Sequence, residues 1–186
     1  DLPVCQHFVA ETERVVPADV TNSTVLVIDD NQINRTILME QLQSWGMQGA
    51  AVDSGATGLN TLRGSVAHNV PVDAIILDYH MPEMNGAQVA AILRDDPQLQ
   101  HIPVLMLTSM DIDLEEGSSA DLGLSAHLMK PARSSLLMQT LIDVIQKGRL
   151  NGPIAGVAAA PAMPVAVAPA LETPMPHQTQ TVVTHV

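Results

Sequence analysis

Between residues 24 and 148 the chain alternates short apolar runs with stretches of helical period. Val25-Leu26-Val27-Ile28 is rich in β-branched residues and predicts a strand. Ile33, Ile37, Leu38, Leu42 and Trp45 then recur at helical spacing, and Gly46 stands where a glycine commonly ends a helix. Ala50–Val52 predicts a weaker strand, and Ser54 is placed to cap a helix carrying Leu59 and Leu62. Ala74–Leu77 predicts a third strand, with Val89, Ile92 and Leu93 marking the helix after it. Pro103 opens a fourth strand, Val104-Leu105-Met106-Leu107, and a polar helix is expected over about 113–122. A short strand over 125–129 leads to a last helix carrying Leu137, Leu141, Val144 and Ile145 and ending at Gly148. Five successive βα units, their strands apolar throughout, imply an α/β domain: a parallel sheet covered by helices on both faces.

The flanks lack this alternation. Residues 1–23 show no sustained period and read as a linker or the end of a preceding domain. Residues 149–186 read as a flexible Ala/Pro-rich linker. Within them Ile154–Leu171 is nearly all Ala, Val and Pro. That stretch is long and uncharged enough to raise a membrane helix, but Pro161, Pro164 and Pro169 break it and Ala is only weakly apolar. An extended linker is the better reading, with no membrane contact from this segment. With no initiator Met and no signal segment, the chain reads as a piece of a longer protein.

Composition narrows the class. Hydrophobic residues make up 46% of the chain and aromatics only 2%, so the core must be aliphatic. A net charge of -12 argues against nucleic acid as a direct partner. The single cysteine, Cys5, has no partner for an internal disulfide, which fits a reducing, cytoplasmic setting.

The candidate chemistry lies where the apolar runs stop. Val25–Ile28 runs into Asp29-Asp30, Ala74–Leu77 into Asp78, and the strand ending at Met129 into Lys130-Pro131. In an open parallel sheet the carboxyl edge of the strands is where ligands bind. Three carboxylates there repel one another by about 4 kcal/mol per pair at 4 Å and an effective dielectric of about 20, so they call for a cation. Hard oxygen donors suit Mg²⁺, which bridges readily to phosphate. A carboxylate such as Asp78 is also a competent nucleophile toward phosphorus. Lys130 would balance the transferring group and Thr108, ending strand four, would donate a hydroxyl hydrogen bond. Taken singly, each residue has a plainer explanation. Asp29-Asp30 would serve as a helix N-cap, Asp78 as a turn residue, Lys130-Pro131 as surface punctuation, and Thr108 as a structural hydroxyl. Taken together, they fall at the ends of separate strands in a consistent order.

These motifs resemble the two-component receiver domain, the chemotaxis-type response-regulator fold. Val-Leu-Val-Ile-Asp-Asp-Asn at 25–31, Leu-Asp-Tyr-His-Met-Pro-Glu-Met-Asn-Gly at 77–86, Leu-Thr-Ser at 107–109 and Met-Lys-Pro-Ala at 129–132 carry the likeness over about 24–148. The resemblance implies a flavodoxin-like, doubly wound five-stranded parallel sheet of order 2-1-3-4-5 with five helices. It implies that Asp78 accepts a phosphoryl group from a phosphohistidine. It implies that Asp30, Asp78 and the His80 backbone carbonyl hold Mg²⁺, with Asp29 assisting through water. Thr108 and Lys130 would contact the phosphoryl group, and Lys130-Pro131 would be a cis bond. Asp-Asp-Asn-Gln-Ile-Asn-Arg followed by Leu-Gln-Ser-Trp-Gly-Met is closest in kind to receivers of hybrid sensor histidine kinases. The implied partner is a histidine kinase or histidine phosphotransfer domain, in the same chain or another. The isolated domain is expected to be a monomer and not itself an enzyme beyond slow self-dephosphorylation.

Two departures from the family pattern stand out. The switch aromatic, three residues before the lysine, is His127 here. At the positions that tune phosphoryl lifetime stand His80 and Met110, neither of which holds a water through an acid or amide. Two rival functions remain on the sequence alone. One is a pseudo-receiver, a binding module with this fold and no phosphoryl transfer; the complete set of Asp29, Asp30, Asp78, Thr108 and Lys130 argues against it. The other is an Mg²⁺-dependent Asp-nucleophile phosphatase, which wants an acid where His80 stands. Asp111, Asp113, Glu115 and Glu116 are expected to make one partner face acidic at its start.

Overall fold

A computed structural model describes residues 17–109 and 122–151. Its elements are β1 (Thr24–Ile28), α1 (Gln32–Ser44), β2 (Gln48–Val52), α2 (Gly55–Ala67), β3 (Ala74–Asp78), α3 (Gly86–Asp95), β4 (Val104–Thr108), β5 (Ala126–Met129) and α4 (Ser134–Asn151). All strands pair in parallel in the order β2-β1-β3-β4-β5. This is the doubly wound, flavodoxin-like sheet that the resemblance implied. Four helices are described, not five: the polar helix expected over about 113–122 lies, Leu122 apart, outside the described residues, as do Met110 and the four acidic residues between 111 and 116.

Strand alternation divides the core into two layers. Val25, Val27, Ala74, Ile76, Leu105 and Leu107 face α1 and α4, where Leu38, Leu42, Leu141 and Ile145 meet them. Leu26, Ile28, Ile75, Leu77, Val104 and Met106 face α2 and α3, where Leu59, Leu62, Val89 and Leu93 close the other side. The expected apolar stripe on α1 splits: Leu38 and Leu42 are buried, whereas Ile33 is 70% and Ile37 49% exposed. The edge strand β2 is mostly exposed, and its Gly-Ala-Ala centre explains why its apolar signal is weak.

Both expected boundaries shift outward. Val20 is fully buried in the α1/α4 layer, so residues 17–23 pack onto the domain and do not belong to a linker. The last helix does not stop at Gly148 but runs to Asn151. Gly148 is there for space: a Cβ would come within 2.8 Å of Pro103 Cγ. The next residue, Arg149, donates to Asp73 Oδ1 (2.9 Å), Ser23 Oγ (2.9 Å) and the Asp19 carbonyl, tying the helix end to the chain entering β1. Residues 1–16 and 152–186, both read as linkers, lie outside the described residues. No described helix is long and apolar enough to cross a membrane.

One contact sets the geometry of the carboxyl edge. A Cβ on Gly86 would lie 2.5 Å from the Asp78 carbonyl oxygen and 2.9 Å from Tyr79 Cα, and the Gly86 N–H donates to the Tyr79 carbonyl at 2.9 Å. Helix α3 therefore starts directly against the backbone that carries Asp78. Gly86→Ala is expected to destabilise the fold by about 1–3 kcal/mol, because backbone and not a flexible side chain must move. Urea denaturation of the two proteins measures it, and a change within error would show that the turn absorbs the methyl group.

Candidate functional site

Sheet register brings the sequence-predicted residues to one level. Ile28 pairs with Leu77, so Asp29 and Asp78 leave adjacent strands side by side. Asp78 pairs with Leu107, which places Thr108 one step beyond it on β4. Thr108 pairs with Met129, and Lys130 follows, its N–H donating to the Thr108 carbonyl at 2.7 Å. The Lys130-Pro131 peptide bond is cis. Asp29, Asp78 and Thr108 are all buried, at 1%, 6% and 1% exposure, while Asp30 reaches solvent.

The plain explanation for Asp29-Asp30, a helix N-cap, does not hold. Helix α1 is capped by Asn31, whose Oδ1 accepts from Ile33 N–H (2.9 Å) and Asn34 N–H (3.4 Å). Helix α3 is capped by Asn85 in a reciprocal box with Gln88. Both cap positions following the acidic residues are thus filled by neutral Asn, and Asp29, Asp30 and Asp78 are left for other work.

Their charges are only partly neutralised. The Lys130 ammonium lies 2.9 Å from Asp29 Oδ2 and 2.8 Å from Asp78 Oδ1. Burial pushes the Asp78 carboxyl above its ordinary value, and the nearby Asp29 charge adds to this; Lys130 and the His80 N–H pull the other way without overcoming it. Burial alone would pull the Lys130 ammonium down, but hydrogen bonds and attraction from Asp78 and Asp29 outweigh it and leave it raised. The two directions agree physically: one ammonium serves two buried carboxylates, so it is held firmly while they remain short of positive charge.

One carboxylate oxygen each from Asp29, Asp30 and Asp78 lie within 4.8 Å of one another. Hard oxygens at that spacing, two buried and one exposed, fit a small divalent cation that keeps several waters. His80 is exposed, its ring edge-on to Tyr79 at 5.2 Å, and its Nδ1 is 3.4 Å from Ser109 Oγ. His127 sits half-buried on β5 opposite Met106, on the sheet face that Thr108 shares. The sequence reading assigned no role to Asn34 or Arg35. Asn34 Nδ2 donates to both Asp29 carboxylate oxygens (3.3 and 3.1 Å), and Arg35 Nη1 donates to the Asp29 and Asp30 carbonyls (2.8 and 2.9 Å). Their spacing, one turn after the Asn31 cap, was the available signal, since it turns both toward the strand end they follow.

Residues 25–142 match the model of the response regulator receiver domain. The chain belongs to that receiver family. The receiver is 32% identical over 130 residues to the hybrid signal transduction protein dokA of Dictyostelium discoideum, covering 69% of this chain but only 7% of dokA. It is 27% identical over 118 residues to the polar-differentiation response regulator DivK of Brucella ovis, covering 63% of this chain and 92% of DivK. Among solved structures it is similar to the receiver domain of the sensor histidine kinase PA1611 from Pseudomonas aeruginosa, which has a magnesium ion in its active-site cleft. The identity there is 22%, the TM-score 0.57, and the coverage 67% of this chain and 98% of that one.

The charge balance of this receiver yields a pH prediction. Because the Asp78 carboxyl is raised on folding, its ionised form costs stability; that cost is absent below the ordinary value of about 4 and sets in as pH rises through the raised one. Without divalent cation, Asp78→Asn is therefore expected to melt a few degrees higher than the parent at neutral pH, with the gain shrinking as pH falls toward about 4. Thermal melts across that range check the sign, and a gain that grows on acidification would contradict it.

Proposed function

We propose that this receiver is the phosphoacceptor of a two-component phosphorelay, taking a phosphoryl group from a phosphohistidine onto Asp78. The observation that carries the reading is the Lys130 ammonium bridging Asp29 and Asp78 beside a third carboxylate, all at one strand edge. Asp30 and Asp78, with the His80 carbonyl, would hold Mg²⁺ directly, and Asp29 would hold it through water. Bound there, the ion supplies positive charge to the oxygens of the transferring group.

In the transfer, an Asp78 carboxylate oxygen attacks phosphorus in line with the leaving imidazole. The O–P bond forms as the N–P bond breaks, and the electron pair of that bond stays on the histidine nitrogen. Lys130 exchanges its Asp78 contact for a phosphoryl oxygen, and the Thr108 hydroxyl donates to another. Positioning carries the rate, since the metaphosphate-like transition state asks for little covalent help. The His127 ring then moves toward Thr108, and that movement is the signal.

The donor is a histidine kinase or histidine phosphotransfer domain. Similarity to dokA supports a hybrid-kinase setting with the kinase core elsewhere in the same protein, in the cytoplasm. The reading is tested by adding beryllofluoride, a phosphoryl mimic, with Mg²⁺ to the 186-residue chain. Amide resonances of Asp78, Thr108 and Lys130 should shift, the His127 ring resonances should shift with them, and Asp78→Asn should abolish both. A silent parent protein would make this a pseudo-receiver, and unmoved His127 resonances would remove it from the switch.

A further inference from the structure

Asp29 and Asp30 are consecutive, yet one carboxylate oxygen of each lies within 4.8 Å of the other and of one on Asp78. Along an extended strand successive residues face opposite ways, in side chain and in carbonyl alike. The chain must therefore leave strand geometry between them. Strand pairing lasts through the Asp29 N–H, which donates to the Val52 carbonyl at 3.3 Å, and the bend falls at Asp30. Asp29 has donors of its own: the Lys130 ammonium, the Asn31 N–H and the Asn34 amide hold its carboxylate. No donor among the described residues holds the exposed Asp30 carboxylate, so its backbone alone sets its place.

That backbone is held by Arg35. One guanidinium nitrogen, Nη1, donates to the Asp29 carbonyl (2.8 Å) and to the Asp30 carbonyl (2.9 Å), and the Arg35 N–H donates to the Asn31 carbonyl (3.1 Å). Three successive carbonyls thus converge on one residue. A single donor could not reach two successive carbonyls of an extended strand, because they point away from each other across the chain axis.

Resting on the cation site of the reading above, we propose that Arg35 is a positioning residue for that site. By holding these carbonyls it keeps the bend that turns Asp30 toward Asp29 and Asp78. Two features suit Arg35 to this role. Its half-buried side chain starts one turn into α1, after the Asn31 cap has fixed the helix direction, so it reaches back from a rigid base. Its guanidinium donates to carbonyl oxygens and leaves the carboxylate oxygens to a cation.

The sign of one substitution separates positioning from charge. A guanidinium near a divalent cation repels it, so on charge alone its removal would raise Mg²⁺ affinity. Loss of the bend lowers it. In the 186-residue chain, Arg35→Met is expected to weaken Mg²⁺ binding by about tenfold. Arg35→Lys, which keeps both charge and donors, should recover part of the loss. Affinities come from amide-shift titrations well below the melting temperature, so that loss of fold does not register as loss of affinity. Arg35→Gln repeats them should Arg35→Met fail to fold. An affinity unchanged or raised in Arg35→Met, or lost equally in Arg35→Lys, would overturn the assignment and leave the cation site standing. A parent protein that binds no Mg²⁺ sinks the cation site itself, and the role of Arg35 with it.

Discussion

Everything at the carboxyl edge of the sheet depends on one lysine. Lys130 lies 2.9 Å from Asp29 and 2.8 Å from Asp78, and among the described residues it is the one cation ion-paired with these carboxylates, since Arg35 reaches the backbone carbonyls of Asp29 and Asp30. Three carboxylates against one ammonium is an unfinished electrostatic balance. It holds the lysine in place, keeps the carboxylates short of positive charge, and leaves exposed Asp30 as the open side of the cluster. A site fully neutralised by protein groups would have no reason to admit a cation. A site with no lysine would leave two buried carboxylates facing each other.

The remainder of the fold protects that imbalance. Neutral asparagines cap α1 and α3, so the acidic residues before them are not consumed by helix ends. Gly86 lets α3 begin against the Asp78 backbone, fixing the turn that carries His80. At the opposite edge, Arg149 joins the entering chain to the end of α4 through Asp73 and Ser23. The clamp uses charged and polar contacts at the amino ends of the strands, so the length of the strands, with an aliphatic layer on either face, separates it from the cluster.

The fold was legible because strand and helix periods are strong where elements are buried. The completely apolar runs ending at Ile28, Leu77 and Leu107 announced a sheet covered on both faces, and their terminal residues announced the site. Less was legible where packing, not period, decided the outcome. Gly148 reads as a helix stop, yet it serves close contact with Pro103, and the helix runs on to Asn151. Val20 stands in a stretch without periodicity, and a single residue inserted into a core leaves no repeating signal. Ile33 and Ile37 share helical spacing with Leu38 and Leu42 but face solvent, since spacing fixes a stripe and not its width. Asn34 and Arg35 were visible as letters of a motif, but their contacts with Asp29 depend on where the Asn31 cap turns the chain.

A cluster of buried like charges is a cost to folding, and in this chain the offset is aliphatic. The largest fully buried side chains are all Leu, Ile or Met, and most lie on the strands that end in the site or on helices packed against them. Close-packed strands resist displacement, so the carboxylates cannot relieve their repulsion by moving apart. They can relieve it only by gaining a cation or a proton. Rigidity below the site and charge imbalance within it are therefore two parts of one device. The first keeps the carboxylates where they are, and the second makes the arrival of a ligand the favourable way out.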